Sequence, residues 1–407
     1  MGSLKDKVVI AGIGHSATDG GSKFDSKQES KLKGVSDVQL ALQACKMAIE
    51  DAGLASQDVD GIGCAHALDS AAPSHQIALG LGVPEISFQV DNYAGGAGSI
   101  AVVQMAAAAI EAGLARNIVC YRAMKTSTAG RLTGHPRGAS ISQFPDYQSV
   151  TGEAEFMAPF GLDSVRMENA MRWKRHMIKY GTTSEHTGAV AITHREHAAF
   201  NDRALARQPI TMEDYLNSPM VVDPVRELDI CLASDGGYAV VLTSAESARD
   251  LKQSPVYIMG AAMGGGPLPG YASGFPAQAP EPAEAAAKYF SKRLYNMADV
   301  GPNDMDFAQI YDCFTFAVIY QLEGYGFCME GEGGPFVEDG RIALGGELPV
   351  NTHGGQLSEG YFWSMNHLYE AVQQLRGHAG ARQVKDAEIG LVTGHTAQVG
   401  SALILRR

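Results

Sequence analysis

Two tyrosines and a histidine are the side chains of this sequence best suited to proton chemistry: Tyr311 in QIYDCFTF, Tyr361 in NTHGGQLSEGYFWSMNH and His395 in VTGHTAQVG. A phenol with its ordinary pKa of about 10 stays protonated at neutral pH, so it donates to a basic centre and acts as a base only with help from a neighbour. An imidazole can serve in either sense. Glycines 95, 96 and 98 in DNYAGGAGSIAVVQMAAAAIEAG precede a helix of small residues. Backbone can approach a ligand closely there, and the first helical amides, which lack intrahelical acceptors, favour a developing oxyanion. Close helix packing with no ligand explains the same glycines equally well. Gly355 opens a matching turn, GGQLSEGY, running into a second helix expected to start at Tyr361. Gly95, Gly96 and Gly355 are therefore the candidate ligand contacts. Taken singly, each tyrosine reads as a core residue and His395 as a turn residue; their equivalent places in a repeat bring them together.

Other patterns carry less. GIGHSA, residues 12 to 17, follows a strand and fits the GxGxxA form of a dinucleotide turn. The next segment, TDGGSKFDSKQESKLKG, is a polar loop rather than a helix, so a simple strand-end turn is preferred. His194 and His197 are three apart in THREH with no third ligand at a metal-binding spacing, and a solvated helix face is expected. The six cysteines form no CxxC, so neither a disulfide framework nor a zinc site is indicated, and most are expected to be buried thiols. A net charge of -13 argues against nucleic acid or an anionic membrane as partner. The opening MGSLKDKVVIAG lacks the apolar core of a signal peptide, and no apolar run is long enough to cross a bilayer. The expected compartment is the cytoplasm.

The elements that must position these groups occur twice in the 407 residues. KVVIAGIG near residue 8 returns as PVYIMGAA near residue 256, each an apolar run ending in glycine. A helix follows in both copies. In the first, Ser36 and Gln39 form a capping box, and Val38, Ala41, Leu42, Cys45, Ala48, Ile49 and Ala52 share a face. In the second, Ala283, Ala287, Phe290, Leu294 and Met297 do so. SQDVDGIGCA then matches PNDMDFAQIY, pairing Asp58 with Asp304 and Asp60 with Asp306, and each copy closes on a glycine and a strand at Gly237 and Gly400. The copies are 246 residues apart at Asp58/Asp304 but 163 apart at Gly237/Gly400, so the first half carries about 83 extra residues. Loop-like KTSTAGRLTGHPRGAS and the short helices expected in MRWKRHMIKYG and SEHTGAVAITHREHAAF place that insert between roughly 122 and 225. Two α/β halves pack together, with the insert capping one face and a ligand where all three meet.

At these residues the chain resembles the thiolase superfamily over nearly its whole length. Sterol-carrier thiolases have His-Asp-Cys-Phe where this chain has YDCF, and Asn-x-x-Gly-Gly…Gly-His-Pro where it has NTHGGQLSEGY. Both histidines are tyrosines here, Tyr311 and Tyr361. The nucleophilic cysteine of a thiolase would fall near Gly95 or Gly96, and no cysteine lies between Asp91 and Ser99. His395 sits about where the second thiolase cysteine or its neighbour would be. One branch shares all these departures, the lipid-transfer-protein-like aldolases that shorten steroid side chains; YDCFT, GFCMEGEGGPFVEDG, LPVNTHGGQLSEGY and AVQQLRG are similar to it. The resemblance implies a duplicated αβαβα five-layer fold with an inserted loop domain in the first half: residues 1–121 plus 226–248, the insert 122–225, and the second half 249–407.

It also implies retro-aldol cleavage of a 3-hydroxyacyl-CoA thioester to a ketone or aldehyde and a shorter acyl-CoA. That reaction needs a base for the β-hydroxyl, a site for the enolate oxygen and an acid for the enolate carbon, but no acyl-enzyme, so loss of the cysteine is consistent with it. One of Tyr311 and Tyr361 would donate the proton and the other contact the β-hydroxyl, in either order. His353 or His395 would assist, or His395 would hydrogen-bond the thioester carbonyl. Asp312, next to Tyr311 on a strand, points to the opposite face and is read as structural. No permanent cofactor or metal is expected, coenzyme A entering as part of the substrate. The resemblance further implies a homodimer and a small partner with an OB fold and a zinc ribbon; no extra domain follows Arg407, so that partner is expected in trans. Two other readings remain: an acyltransferase of the same fold, using Ser99 or a cysteine such as Cys313 as nucleophile, and a non-catalytic lipid carrier or scaffold.

Overall fold

A computed structural model describes residues 4–20, 31–32, 34–66, 72–126, 159, 161–162, 164–266, 284–396 and 399–407. The first half runs β1 (Val8–His15), β2 (Asp19–Gly20), α1 (Asp37–Ala52), β3 (Gly61–Ala65), α2 (Ser74–Leu81), β4 (Phe88–Asn92), α3 (Gly98–Glu111) and β5 (Ile118–Lys125). After α4 (Val165–Tyr180), α5 (Ser184–Ala199), α6 (Met212–Leu216) and the ribbon β6 (Met220–Val222) and β7 (Val225–Arg226), it closes with β8 (Ser234–Ser244). The second half contains β9 (Val256–Gly265), α7 (Ser291–Ala298), β10 (Phe307–Gln309), α8 (Thr315–Gly324) and α9 (Gly333–Phe336). It ends with α10 (Gly355–Ser358), α11 (Met365–Leu375), β11 (Ile389–His395) and β12 (Val399–Arg406).

The strands lie in the order β10-β11-β12-β9-β1-β8-β5-β3-β4, with β2 paired to β8. Read outward from the β9–β1 junction, β1, β8, β5 and β3 answer to β9, β12, β11 and β10, which is the duplication in spatial form. Asp60 accepts from the amides of Arg116 and Asn117 ahead of β5, and Asp306 accepts from those of Glu388 and Ile389 ahead of β11. Each aspartate thus fixes the parallel pairing of its half, β3 with β5 or β10 with β11. Ser36 and Gln39 form the expected capping box on α1.

Period-two burial splits each half-sheet between two cores. Ile118 and Cys120 face a central core with α3 and α11, whereas Val119 and Tyr121 face an outer one with α1 and α2. On the other half, Leu403 and Leu405 face the central core, and Ala402 and Ile404 an outer one with α7 and α8. Helix, sheet, central helices, sheet and helix make the five layers. Glycines set the spacing. A Cβ on Gly12 or Gly14 would lie 2.1 or 2.2 Å from the carbonyl oxygen of Ala48 or Ala44, so GIGHSA is where α1 packs onto β1. Gly260 of β9 meets Leu294 of α7 in the same way.

Several expectations are corrected. In the second copy Ala286–Tyr289 is a 3-10 turn and α7 begins at Ser291, while Ala283 lies outside the described residues. Helix α5 of the insert falls within its expected stretch, whereas α4 starts earlier than expected, at Val165, and β5 continues to Lys125, past residue 122. Most of the KTSTAGRLTGHPRGAS stretch lies outside the described residues. Trp173 and Val190 of α4 and α5 pack into the outer core of the second half, beside Phe316 and Ile319 of α8. His194 and His197 are therefore not on a solvated face: both are buried.

Candidate active site

Tyr311 follows the end of β10, and its backbone is fixed on both sides. Its amide donates to Thr393 Oγ1 (2.9 Å), its carbonyl accepts from Gln321 Nε2 (2.8 Å), and the Thr393 hydroxyl donates to Gln321 Oε1 (3.0 Å). Asn351 holds the preceding residue, accepting from the Ile310 amide and donating to its carbonyl. Tyr361 enters from the loop between α10 and α11; its amide donates to Ser234 Oγ (2.9 Å), and its ring is half-buried against the central core and the outer core of the second half. Helix α11 starts at Met365, so Tyr361 precedes the helix rather than opening it. Trp363 and Ser364, at φ 53° and 67°, turn the chain between them. The Trp363 ring lies 3.8 Å from where a Cβ on Gly98 would stand, so the starts of α3 and α11 meet.

The two phenolic oxygens are 3.3 Å apart. Tyr311 is 3 % exposed, and burial, then the neighbouring Cys313 and Tyr361, raise its pKa well above the ordinary phenol value, so it holds its proton at neutral pH. A Cβ on Gly96 would lie 2.2 Å from the Tyr311 hydroxyl and 2.4 Å from the His395 carbonyl oxygen. The phenol occupies the space a side chain at position 96 would need.

His395 is the last residue of β11, not a loop residue. Its Nε2 is hydrogen-bonded to the Tyr320 hydroxyl, and its ring centroid is 6.4 Å from that of Tyr311. Burial and then the charge of Arg172 depress its pKa to about 3, so the ring is neutral. His353 is fully buried and neutral, but its side-chain contacts are with Glu359 (3.4 Å), Asn366 and His367 rather than with either phenol. Gly95 has φ 52°. Gly355, at φ 62°, lies against Asp312, whose carboxylate would be 1.9 Å from a Cβ there. The amides of Gln356 and Leu357 are likewise committed to Asp312 rather than to a ligand.

Asp312 lies 3.0 Å from His194 Nδ1 and 3.1 Å from His367 Nε2, a nitrogen that also hydrogen-bonds the Ile310 carbonyl. Burial would raise the Asp312 pKa, but the two adjacent imidazoles outweigh it and hold the carboxyl at about 2. One carboxylate thus brings together the insert, the segment after β10 and α11. Ser99 Oγ is buried without a hydrogen-bond partner, and burial pushes the Cys313 thiol well up, so neither is an activated nucleophile. Among the described residues one group, Cys64, His66 and Asp91 at the β3–β4 edge, brings three metal-type donor atoms within 4.8 Å of one another; Asp91 is there hydrogen-bonded to Ser74. Sequence reasoning missed Tyr320, Gln321, Thr393 and Ser234. For the first two the signal was present, as adjacent polar residues in the otherwise apolar TFAVIYQL.

This duplicated fold, with two hydrogen-bonded tyrosines between its halves, defines a thiolase-type protein. Residues 275–407 match the family described as "Thiolase C-terminal domain-like". The chain is 38% identical to a "Steroid side-chain-cleaving aldolase" of Thermomonospora curvata, covering 100% of this chain and 99% of that one. It is also 38% identical to a "17-hydroxy-3-oxo-4-pregnene-20-carboxyl-CoA lyase" of Mycobacterium tuberculosis, covering 99% and 100%. A solved structure, "Ltp2-ChsH2(DUF35) aldolase", superposes with a TM-score of 0.87 at 36% identity, covering 100% and 99%. The chain belongs to the thiolase superfamily and, within it, to the steroid side-chain-cleaving aldolases.

Proposed function

We infer that this chain is a carbon–carbon lyase that cleaves a 3-hydroxyacyl-CoA thioester carrying a bulky, steroid-type acyl group. The products are a ketone or aldehyde and a shortened acyl-CoA, with no bond to the protein. The 3.3 Å Tyr311–Tyr361 contact carries this reading. Retro-aldol cleavage moves one proton from the β-hydroxyl oxygen to the α-carbon and has no net proton demand. Two hydrogen-bonded phenols can relay it: the phenol at the substrate hydroxyl accepts that proton and passes its own to the second, which protonates the enolate carbon. Neither phenol needs to be ionised beforehand, which agrees with the raised pKa of Tyr311. Neutral His395 is suited to donate to the thioester oxygen as it gains enolate character.

The test is incubation with 3-hydroxyacyl-CoA thioesters while free ketone and shortened acyl-CoA are measured. In heavy water the shortened product should carry one deuteron at the α-carbon, and intact mass during turnover should show unmodified protein. A trapped acyl group would favour the acyltransferase reading instead.

Two partners belong to the same proposal. The related aldolase structure carries a DUF35 component in its name, which supports a small partner, of the OB-fold and zinc-ribbon kind, supplied in trans. Strand β4 ends the sheet on the side of the first half, and Ile86, Tyr93 and Met105 are exposed on or near it, which supports a homodimer built on this edge. No described helix is long and apolar enough to cross a membrane; a cytoplasmic location is part of the proposal.

A further inference from the structure

Helix α8 reaches the site with two consecutive polar side chains: Gln321 holds the Tyr311 backbone, and Tyr320 meets His395. Tyr320 is 2 % exposed, and its ring packs edge-on against the imidazole, centroids 5.2 Å apart at 71°. A neutral imidazole has one N–H, and its partner decides which nitrogen carries it. The phenol must place its own proton on an acceptor. Arg172, whose charge acts on both rings, offers only donors. Among the described residues His395 Nε2 is the acceptor that Tyr320 has, an arrangement that would leave the lone pair on Nε2 and the proton on Nδ1.

We propose that Tyr320 is a positioning residue, whose hydroxyl locks His395 in the Nδ1–H tautomer and so presents a donor, not a lone pair, to the thioester oxygen. With the opposite tautomer a lone pair would face the oxygen on which enolate charge grows, turning attraction into repulsion. The identity of that oxygen rests on the aldolase reading; the tautomer does not.

Full-length protein labelled with nitrogen-15 in histidine tests this by NMR, with the His395 signals identified among the 12 histidines by their loss in His395→Gln. The expected result is a protonated Nδ1 and an unprotonated Nε2. A proton on Nε2 in the unmutated protein overturns the proposal, whether or not the protein cleaves any thioester. In Tyr320→Phe the proton should redistribute toward Nε2, and kcat/KM for cleavage should fall about 10- to 100-fold with KM nearly unchanged. A Tyr320→Phe protein that keeps the Nδ1–H tautomer also overturns it. If that variant does not fold, the unmutated spectrum alone decides. The expected spectrum in a protein that cleaves no 3-hydroxyacyl-CoA supports the positioning role and sinks the aldolase reading alone.

Discussion

A Cβ on Gly96 would stand 2.2 Å from the Tyr311 hydroxyl, so the phenol and a side chain at position 96 exclude each other. The Tyr311 ring fills the space that a side chain at position 96 would need. Gly96→Ala should therefore displace Tyr311, lowering kcat by at least about 10²-fold and stability by about 1–3 kcal/mol, the usual cost of overpacking a tight site. Steady-state kinetics and urea unfolding check both. Gly96→Cys should likewise lose cleavage and gain no acyl-enzyme by intact mass, because its side chain would have to displace Tyr311 rather than enter open space.

Tyr311→Phe and Tyr361→Phe should each lower kcat about 10²- to 10⁴-fold with acyl-CoA affinity largely retained, since each removes one proton carrier from the relay and leaves the ring packing in place. The double variant should be little worse than either single one, because a relay broken once is already broken. Additive losses would mean that the two phenols act independently.

Ser99→Ala should leave cleavage within about twofold, since the hydroxyl is buried with no base on it. A loss of more than about 10²-fold, together with an acyl group found on the unmutated chain, would establish the acyltransferase.

Asp312→Ala should cost about 3–5 kcal/mol in urea unfolding, because it leaves the amides of Gln356 and Leu357 without their buried acceptor and removes the carboxylate beside His194 and His367. Asp312→Asn keeps part of this set and should cost less.

Acid stability follows from the histidines. Burial and Arg172 hold His395 at about 3 when folded, and burial with the neighbouring His194 holds His197 at about 4, whereas both titrate near 6.5 when unfolded. The unfolded chain then binds more protons as pH falls below about 6.5, so their contribution is complete above that value and is lost progressively toward pH 4 and 3. The Asp312 contribution is lost only below about 3.8, toward its folded value of about 2. Urea midpoints at pH 8, 6 and 5 should decline in that order, and His197→Gln should flatten the decline.

The sequence by itself determined the duplication, the capping of α1, and the equivalence of Asp60 with Asp306. Each of these rests on local spacing or on residue identity, which the chain carries without folding. Tertiary structure alone decided that His194 and His197 are buried, because the insert packs onto α8 of a half far away in sequence. It decided that His353 keeps company with Glu359 while His395 meets Tyr320, and that the turn at Gly355 spends its amides on Asp312. Periodicity assigns a residue to a face of its own element, but which group that face meets depends on contacts between different segments, such as Tyr320 with His395, 75 residues apart.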